Sequence, residues 1–495
     1  MDEYLMAGSI DRNGRAGKNS KNRGLGRIIY IMQFSRALRL TPPQPPPNPP
    51  TEERSVFKSS YADLGEVPFR ADGVAFVGAG GKSTAMFQLA REMKTQVIVT
   101  ATTHLGVWQI PLADRHIPAQ TPAPIEEMEH GLSGVTLVTG PIEGDRTAPL
   151  DEYTLHWLKD FCGYHDLPLL IEADGSRGRP LKAPAAHEPP IPDFVDTVIV
   201  VAGLSGLGKP VTDEFVFRAD RFREISGSAH QQITTPEMLT RVLIHPDGGL
   251  KNIPARARRI ALLNQAETPE LQAIGGKIAK DLLGHFDSVL VGSLHQNDFH
   301  TFEQTAGIIL AAGQSSRFGQ PKQLLDWKGK PFVRQVAETA LHAGLWPVIV
   351  VTGSSAEQVE KAVTGLDVII IRNEDWQSGQ GSSIAAGVRS LPKNIGAGIF
   401  LLADQPQIPA DVIRALIESH TQNLPAILAP LVLEEKRANP VLFDRVAFPD
   451  LLQLTGDVGG RALFGKYRVE YLPWHDDALL LDVDTPEDYK KLKGL

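Results

Sequence analysis

Residues 306–325, AGIILAAGQSSRFGQPKQLL, run an apolar segment straight into small residues and then into one arginine and one lysine. A buried strand that ends in an anion-binding loop has this form. Ala311, Ala312 and Gly313 let the backbone approach phosphate oxygens closely, since none carries a bulky side chain. Arg317 and Lys322, five residues apart across Gly319, supply the positive charge that a triphosphate requires. Ligands of open α/β sheets lie beyond the carboxyl ends of the strands. The stretch therefore predicts a doubly wound, mostly parallel α/β domain with a nucleoside triphosphate at its carboxyl edge.

Working outward from it, PVIVVTG, DVIIIRN, AGIFLLADQP and AILAPLV read as further strands, interleaved with helices such as PADVIRALIESH, and the domain is placed at 305–495. Asp404 ends the buried run GIFLLAD, where an unpaired carboxylate would be costly unless it met a cation. It is read as a Mg²⁺ ligand, with a helix cap ahead of Pro409 as the alternative. Asp484, Thr485 and Pro486 open the last helix in the manner of a cap. In NEDWQSGQGSSIAAG, residues 373–387, Gly379, Ser382 and Ser383 precede a helix, where N–H groups and hydroxyls can bind a nucleotide or phosphate; a plain serine cap explains them equally.

Upstream, VAFVGAGGKSTAMF (residues 74–87) again ends a strand in glycines and starts a helix. Gly78, Gly80, Gly81, Lys82, Ser83 and Thr84 form a Gly-Lys-Ser phosphate loop in which the helix N-terminus attracts phosphate, Lys82 adds a charge and Ser83 or Thr84 reaches Mg²⁺. Phe76 stands where the standard motif begins with glycine. A dinucleotide fold competes for the glycines, but Ser83 replaces its third one, so ATP or GTP is the expected ligand. Glu172 and Asp174 end the strand of LPLLIEADGS as a metal-directed acid pair would. This domain, a P-loop NTPase-like α/β sheet, is placed at 67–299, and HQNDFHTFEQT (residues 295–305) reads as a linker.

Two domains suit the 495 residues, because one core rarely grows beyond about 250 to 300. Residues 1–66, basic and then proline-rich, read as a disordered, solvated tail, with a basic arm as the alternative and Met32 as a possible start. A net charge of −8 argues against a general nucleic-acid or membrane-surface binder. Cys162 is the single cysteine, which excludes an internal disulfide or a cysteine-rich metal site and suits a reducing cytoplasm. No apolar run reaches the ~18 to 20 residues that span a bilayer.

The loop at 306–325, with Asp404 and the Asp-Thr-Pro start, resembles the signature of the MobA-like nucleotidyltransferases, and more narrowly their molybdenum cofactor cytidylyltransferase branch. The resemblance implies transfer of CMP from CTP to Mo-molybdopterin with release of pyrophosphate, Arg317, Lys322 and Asp404 being catalytic and Asp484 the second metal ligand, with Asp482 as its substitute. RANPVLFDR is similar to the family's pterin-side segment and implies Asn439 and Pro440 as substrate contacts, although Ala438 replaces the usual glycine. LTGDVGGRALF adds Asp457 and Arg461, which a surface salt bridge would also explain. LAAG, not LAGG, leans toward CTP. Alternatives are a guanylyltransferase, a sugar-phosphate nucleotidyltransferase and a non-catalytic cofactor chaperone. VGAGGKST, VTATTHLG, IEADGSRGRPLKAPAAHEPPIP and VVAGLSGLGKP resemble the YqeC family, which implies an accessory role for selenium-dependent molybdenum hydroxylases and transient contact with such enzymes, xanthine dehydrogenase-like ones among them. Its glycine loop is also similar to that of Mur ligase-type ATP-binding proteins.

Overall fold

Short β-branched runs alternating with amphipathic helices fold here into two main sheets, whose central strands are buried on both faces and need a helix on either side. The structure, a computed structural model, describes residues 33–40, 73–93, 95–126, 134–230, 232–314, 320–433 and 436–494. These belong to one compact unit, Ile31–Leu495. The alternative start at Met32, Arg317 and most of the expected tail lie outside the described residues.

Among the described residues the first sheet has nine strands: β1 (Val74–Gly78), β2 (Val97–Ala101), β3 (Arg115–Pro118), β4 (Val135–Thr139), β5 (Leu169–Glu172), β6 (Thr197–Gly203), β7 (Arg258–Asn264), β8 (Ser288–Ser293) and β9 (Asp298–Phe302). Their order is β9-β8-β7-β6-β1-β5-β2-β4-β3. All pairs are parallel except β8 with β9. Strand β1 is central because Val74, Ala75 and Phe76 are fully buried, and its carboxyl end delivers the glycine loop to the middle of the sheet edge.

The second sheet comprises β10 (Thr305–Ala311), β11 (Val348–Thr352), β12 (Ile369–Arg372), β13 (Ala397–Leu402), β14 (Ile427–Val432), β15 (Lys436–Arg437), β16 (Val441–Asp444) and β17 (Val469–Trp474). It runs β12-β11-β10-β13-β16-β14-β15, with β17 on β14. Strands β10 to β13 are mutually parallel, whereas β16 lies antiparallel to both β13 and β14. The second glycine loop and Asp404 thus leave neighbouring strands, β10 and β13, on one edge. No helix among the described residues is long and apolar enough to cross a membrane.

Two expectations need correction. The stretch read as a linker contains β9, which pairs with β8 from Val289 opposite Phe302 to Ser293 opposite Asp298. Phe299 and Thr301 point inward and are buried, so its polar residues are merely the outer face of an edge strand. Only residues 303 and 304 separate the sheets.

Nor do residues 33–40 behave as solvated tail. They form helix α1 (Phe34–Ala37) and a turn, with Phe34, Ala37 and Leu38 fully buried and Phe34 packed 5.1 Å from Phe299. Glu92 accepts hydrogen bonds from the N–H groups of Phe34 (3.3 Å) and Ser35 (2.6 Å), satisfying two donors at the start of α1. On the other side Arg36 donates to the carbonyl of Asn423 at 2.8 Å. Arg39 pairs with Glu303 between the sheets and with Asp444 of β16. Burial alone would raise both carboxyl pKa values. Arg39 outweighs it, helped by Arg445 and Arg258 at Glu303 and by His420 at Asp444, so both are lowered, Asp444 to about 2. Eight residues thus clasp both sheets.

Candidate functional site

At the carboxyl edge of the second sheet lies a cavity of about 440 Å³. One wall is the loop after β10, contributing Ala311, Ala312 and Gly313; Lys322 and Asp404 lie on a second. Gly379, Ser383 and Asp457 complete the sequence-predicted residues that meet here. Lys322 Nζ donates to Asp484 Oδ1 at 2.6 Å, which brings the Asp-Thr-Pro start of the last helix to the same place. Arg317 falls outside the described residues.

Asp404 is the most perturbed group of this cavity. Burial raises its carboxyl pKa, Lys322 opposes the rise, and the negative charges of Asp482 and Asp484 add to it. A half-buried carboxylate near two others is a poor anion until a cation joins it. Asp404 and Asp484 are hard oxygen donors of the kind Mg²⁺ takes one or two of, leaving its other positions to phosphates and water. Among the described residues no group of three or more His, Cys, Asp or Glu is arranged as a metal site.

Gly379 has φ of +110°, and a Cβ there would lie 2.2 Å from the backbone of Gly456. Only glycine lets the 456–457 turn close on helix α3 (Gln380–Arg389) and bring Asp457 to the cavity. Ser382 and Ser383 both accept from Asn373 Nδ2, at 2.8 and 2.9 Å, and Ser382 donates to the carbonyl of Gly379. Their hydroxyls brace the loop. Arg461 is exposed and outside the cavity lining, and among the described residues no ion pair joins it to Asp457. Asn439 reaches the site indirectly, donating to Gln405 Oε1 at 3.2 Å, while Gln405 donates to Asp482. Pro440 is buried, and Ala438 packs in the core at 3% exposure, so the missing glycine is accommodated.

Sequence reasoning missed Asn373, Gln405 and Gln323. Gln323 is buried and donates to the carbonyls of Ala311 (3.4 Å) and Gly313 (3.2 Å), fixing the loop. Its place directly after Lys322 was the available signal. Trp376 and Gln380 also line the cavity.

In the first sheet, Gly78, Gly80 and Gly81 all take positive φ, and a Cβ on Gly78 or Gly80 would strike the backbone of β6 at 2.2 to 2.4 Å. The loop can turn here only because these residues are glycine. Helix α2 (Lys82–Glu92) starts directly after it. Lys82 is buried, donates to the carbonyl of Gly78 at 2.7 Å and lies 3.3 Å from Asp174. Asp174 also accepts from the N–H of Gly78 and pairs with Lys182 at 2.8 Å. Ser83 Oγ donates to Glu172 at 2.7 Å, and burial raises the Glu172 carboxyl against the pull of Lys82 and Ser83. The two acids therefore divide: Glu172 serves the serine and Asp174 the lysines. Thr84 is exposed at the first turn. Asn264 donates to the carbonyl of Gly80 and accepts from Leu294, so it props the loop. Cys162 is buried, which pushes its thiol pKa up and leaves it inert.

Residues 307–471 match the MobA-like NTP transferase domain family and residues 74–220 the YqeC protein family. The chain is 30% identical over 237 residues to the uncharacterized protein YqeC of Escherichia coli, covering 45% of this chain and 88% of that one. It is 32% identical over 197 residues to the nicotine blue oxidoreductase of Paenarthrobacter nicotinovorans, covering 38% of this chain and 95% of the relative. With the purine catabolism protein PucB of Bacillus subtilis it shares 31% over 199 residues, 38% of this chain and 95% of PucB. A glycine loop ahead of a buried lysine in one sheet, and a glycine loop sharing a cavity with a half-buried aspartate in the other, accompany these matches: the chain belongs to the YqeC family in its amino-terminal part and carries a MobA-like NTP transferase domain in its carboxyl-terminal part.

Proposed function

We propose that the carboxyl-terminal domain transfers CMP from CTP to Mo-molybdopterin in molybdenum cofactor maturation, and that the amino-terminal domain binds ATP or GTP as an accessory to molybdenum hydroxylases. The observation that carries this reading is the meeting of Ala311–Gly313, Lys322 and Asp404 in one cavity, with Asp484 against Lys322. In the proposed step a terminal phosphate oxygen of the pterin forms a bond to the α-phosphorus of CTP. The bond from that phosphorus to the bridging oxygen breaks, and pyrophosphate leaves with the electron pair. No protein nucleophile is needed, so alignment and charge neutralisation account for the rate.

The N–H groups of the 311–313 loop and Lys322 hold the phosphate chain and neutralise the charge gathering on pyrophosphate. Asp404 and Asp484 would hold Mg²⁺, which supplies Lewis-acid polarisation of the phosphate oxygens when bound. Asn439, tied through Gln405 to Asp482, orients the acceptor. Purified protein given Mg²⁺, molybdopterin and either CTP or GTP should release pyrophosphate with CTP at least ~10-fold faster, the scale of one or two lost base contacts. Preference for GTP assigns the guanine dinucleotide instead. Silence with both nucleotides, under conditions where a working relative turns over, removes the transferase reading.

A further inference from the structure

We propose that Arg177 reads the terminal phosphate of a nucleoside triphosphate bound at the Gly78–Ser83 loop, and that Phe217 is its resting place when that phosphate is absent. This rests on the reading of the loop as a triphosphate site.

The argument starts from the segment that follows Asp174. Residues 175–180 are laced to the glycine loop: the N–H of Gly80 donates to the carbonyl of Arg179 at 3.1 Å, and that of Gly203 to the carbonyl of Pro180 at 2.8 Å. Arg177 is two residues from the first of these anchors, well within the reach of its own side chain from a phosphate on the loop. It is exposed, and it sits at φ of +50°, a backbone region that side chains with a Cβ seldom occupy. Gly175 and Gly178 flank it with nothing within 4 Å of where their Cβ atoms would stand, so the segment has room to shift.

The buried cations near the loop are already committed. Lys82 and Lys182 share Asp174, Lys182 also pairs with Glu188, and Arg218 pairs with Glu188 as well. With Glu172 beside Lys82 and Lys182, these three cations face three carboxylates, so a terminal phosphate adds negative charge that this network does not balance. Arg177 differs from them. Its guanidinium carbon lies 5.6 Å from the centre of the Phe217 ring, next to Lys182 at 5.5 Å from the same ring. A cation on the face of a half-buried phenylalanine ring is held weakly compared with one on phosphate. Phe217 also carries Arg218 at 4.5 Å, so like charges crowd one ring and favour the release of the exposed member.

The test uses the full chain with Lys322→Ala and Asp404→Asn added, which removes the cation and the proposed metal ligand of the carboxyl-terminal cavity, and measures Mg²⁺-ATP and Mg²⁺-ADP binding by calorimetry. Arg177→Ala should weaken ATP about 10- to 100-fold and leave ADP within about twofold, the size of one charge-assisted contact to the lost phosphate. Arg177→Lys should restore part of the difference, and Lys82→Ala should weaken both nucleotides. An equal loss for ATP and ADP, or no loss, overturns the assignment of Arg177 while leaving the loop reading intact. Failure of the parent protein to bind ATP, GTP or ADP overturns the loop reading and this inference together.

Discussion

Asp404→Asn should lower nucleotidyl transfer by about 10³-fold or more, the scale on which removal of a group stabilising transition-state charge is felt, while the chain unfolds no earlier than the parent. The two halves of that expectation share one cause. Burial, reinforced by Asp482 and Asp484, raises the Asp404 carboxyl pKa, which means that its ionised form is held at a cost in the folded chain without a cation. A neutral amide of the same shape relieves that cost and cannot hold the metal. The sign for acid is explicit: as pH falls, protonation of Asp404 sets in at a higher pH than for an exposed aspartate, so Mg²⁺ affinity and turnover should decline earlier. Protonation itself favours the folded state over this window, because the folded chain binds the proton more tightly. Turnover and denaturant midpoint measured side by side check this. Full activity in a folded Asp404→Asn protein removes Asp404 from the metal role.

Arg39→Ala carries the largest expected effect on stability, about 3 to 5 kcal/mol, because it leaves the carboxylates of Glu303 and Asp444 buried beside each other's surroundings without their shared partner. Phe34→Ala should cost a similar amount by emptying a fully buried site against Phe299. Loss of the clasp should also separate the unfolding of the two sheets, turning a single denaturant transition into two. Asp444 adds a pH signature. Its pKa lies at about 2, below its ordinary value of 3.8, so its contribution is fully present above about pH 4 and lost as pH falls toward 2. The Arg39→Ala protein should lose most of that acid sensitivity. A midpoint within ~0.5 kcal/mol of the parent would show that the clasp does not bind the sheets together, since changes of that size are ordinary for surface positions.

The doubly wound sheets and their glycine loops were legible because a buried parallel strand leaves an unmistakable run such as AGIILA or TVIVVAG, and because few residue types can pass from such a strand into a tight turn. Asp404 was legible for the same reason, as a charge at the end of an apolar run. The edge strand β9 was not, since its outward face is polar and its inward residues, Phe299 and Thr301, are too few to mark a period. Residues 33–40 were hidden by their neighbours: four buried apolar side chains inside a long polar and proline-rich stretch do not shift its composition.

What the amino-acid order determined alone is where each glycine loop leaves its strand, because helix starts, glycines and one lysine act over a handful of adjacent positions. Tertiary structure decided which carboxylate each cation serves, that Ser382 and Ser383 brace a loop, that Gln405 joins Asn439 to Asp482, and that Arg39 ties two sheets. Most of those pairings join residues tens to hundreds of positions apart, and an electrostatic or hydrogen-bonding partner at such separation is chosen by strand order and burial, which no local pattern encodes.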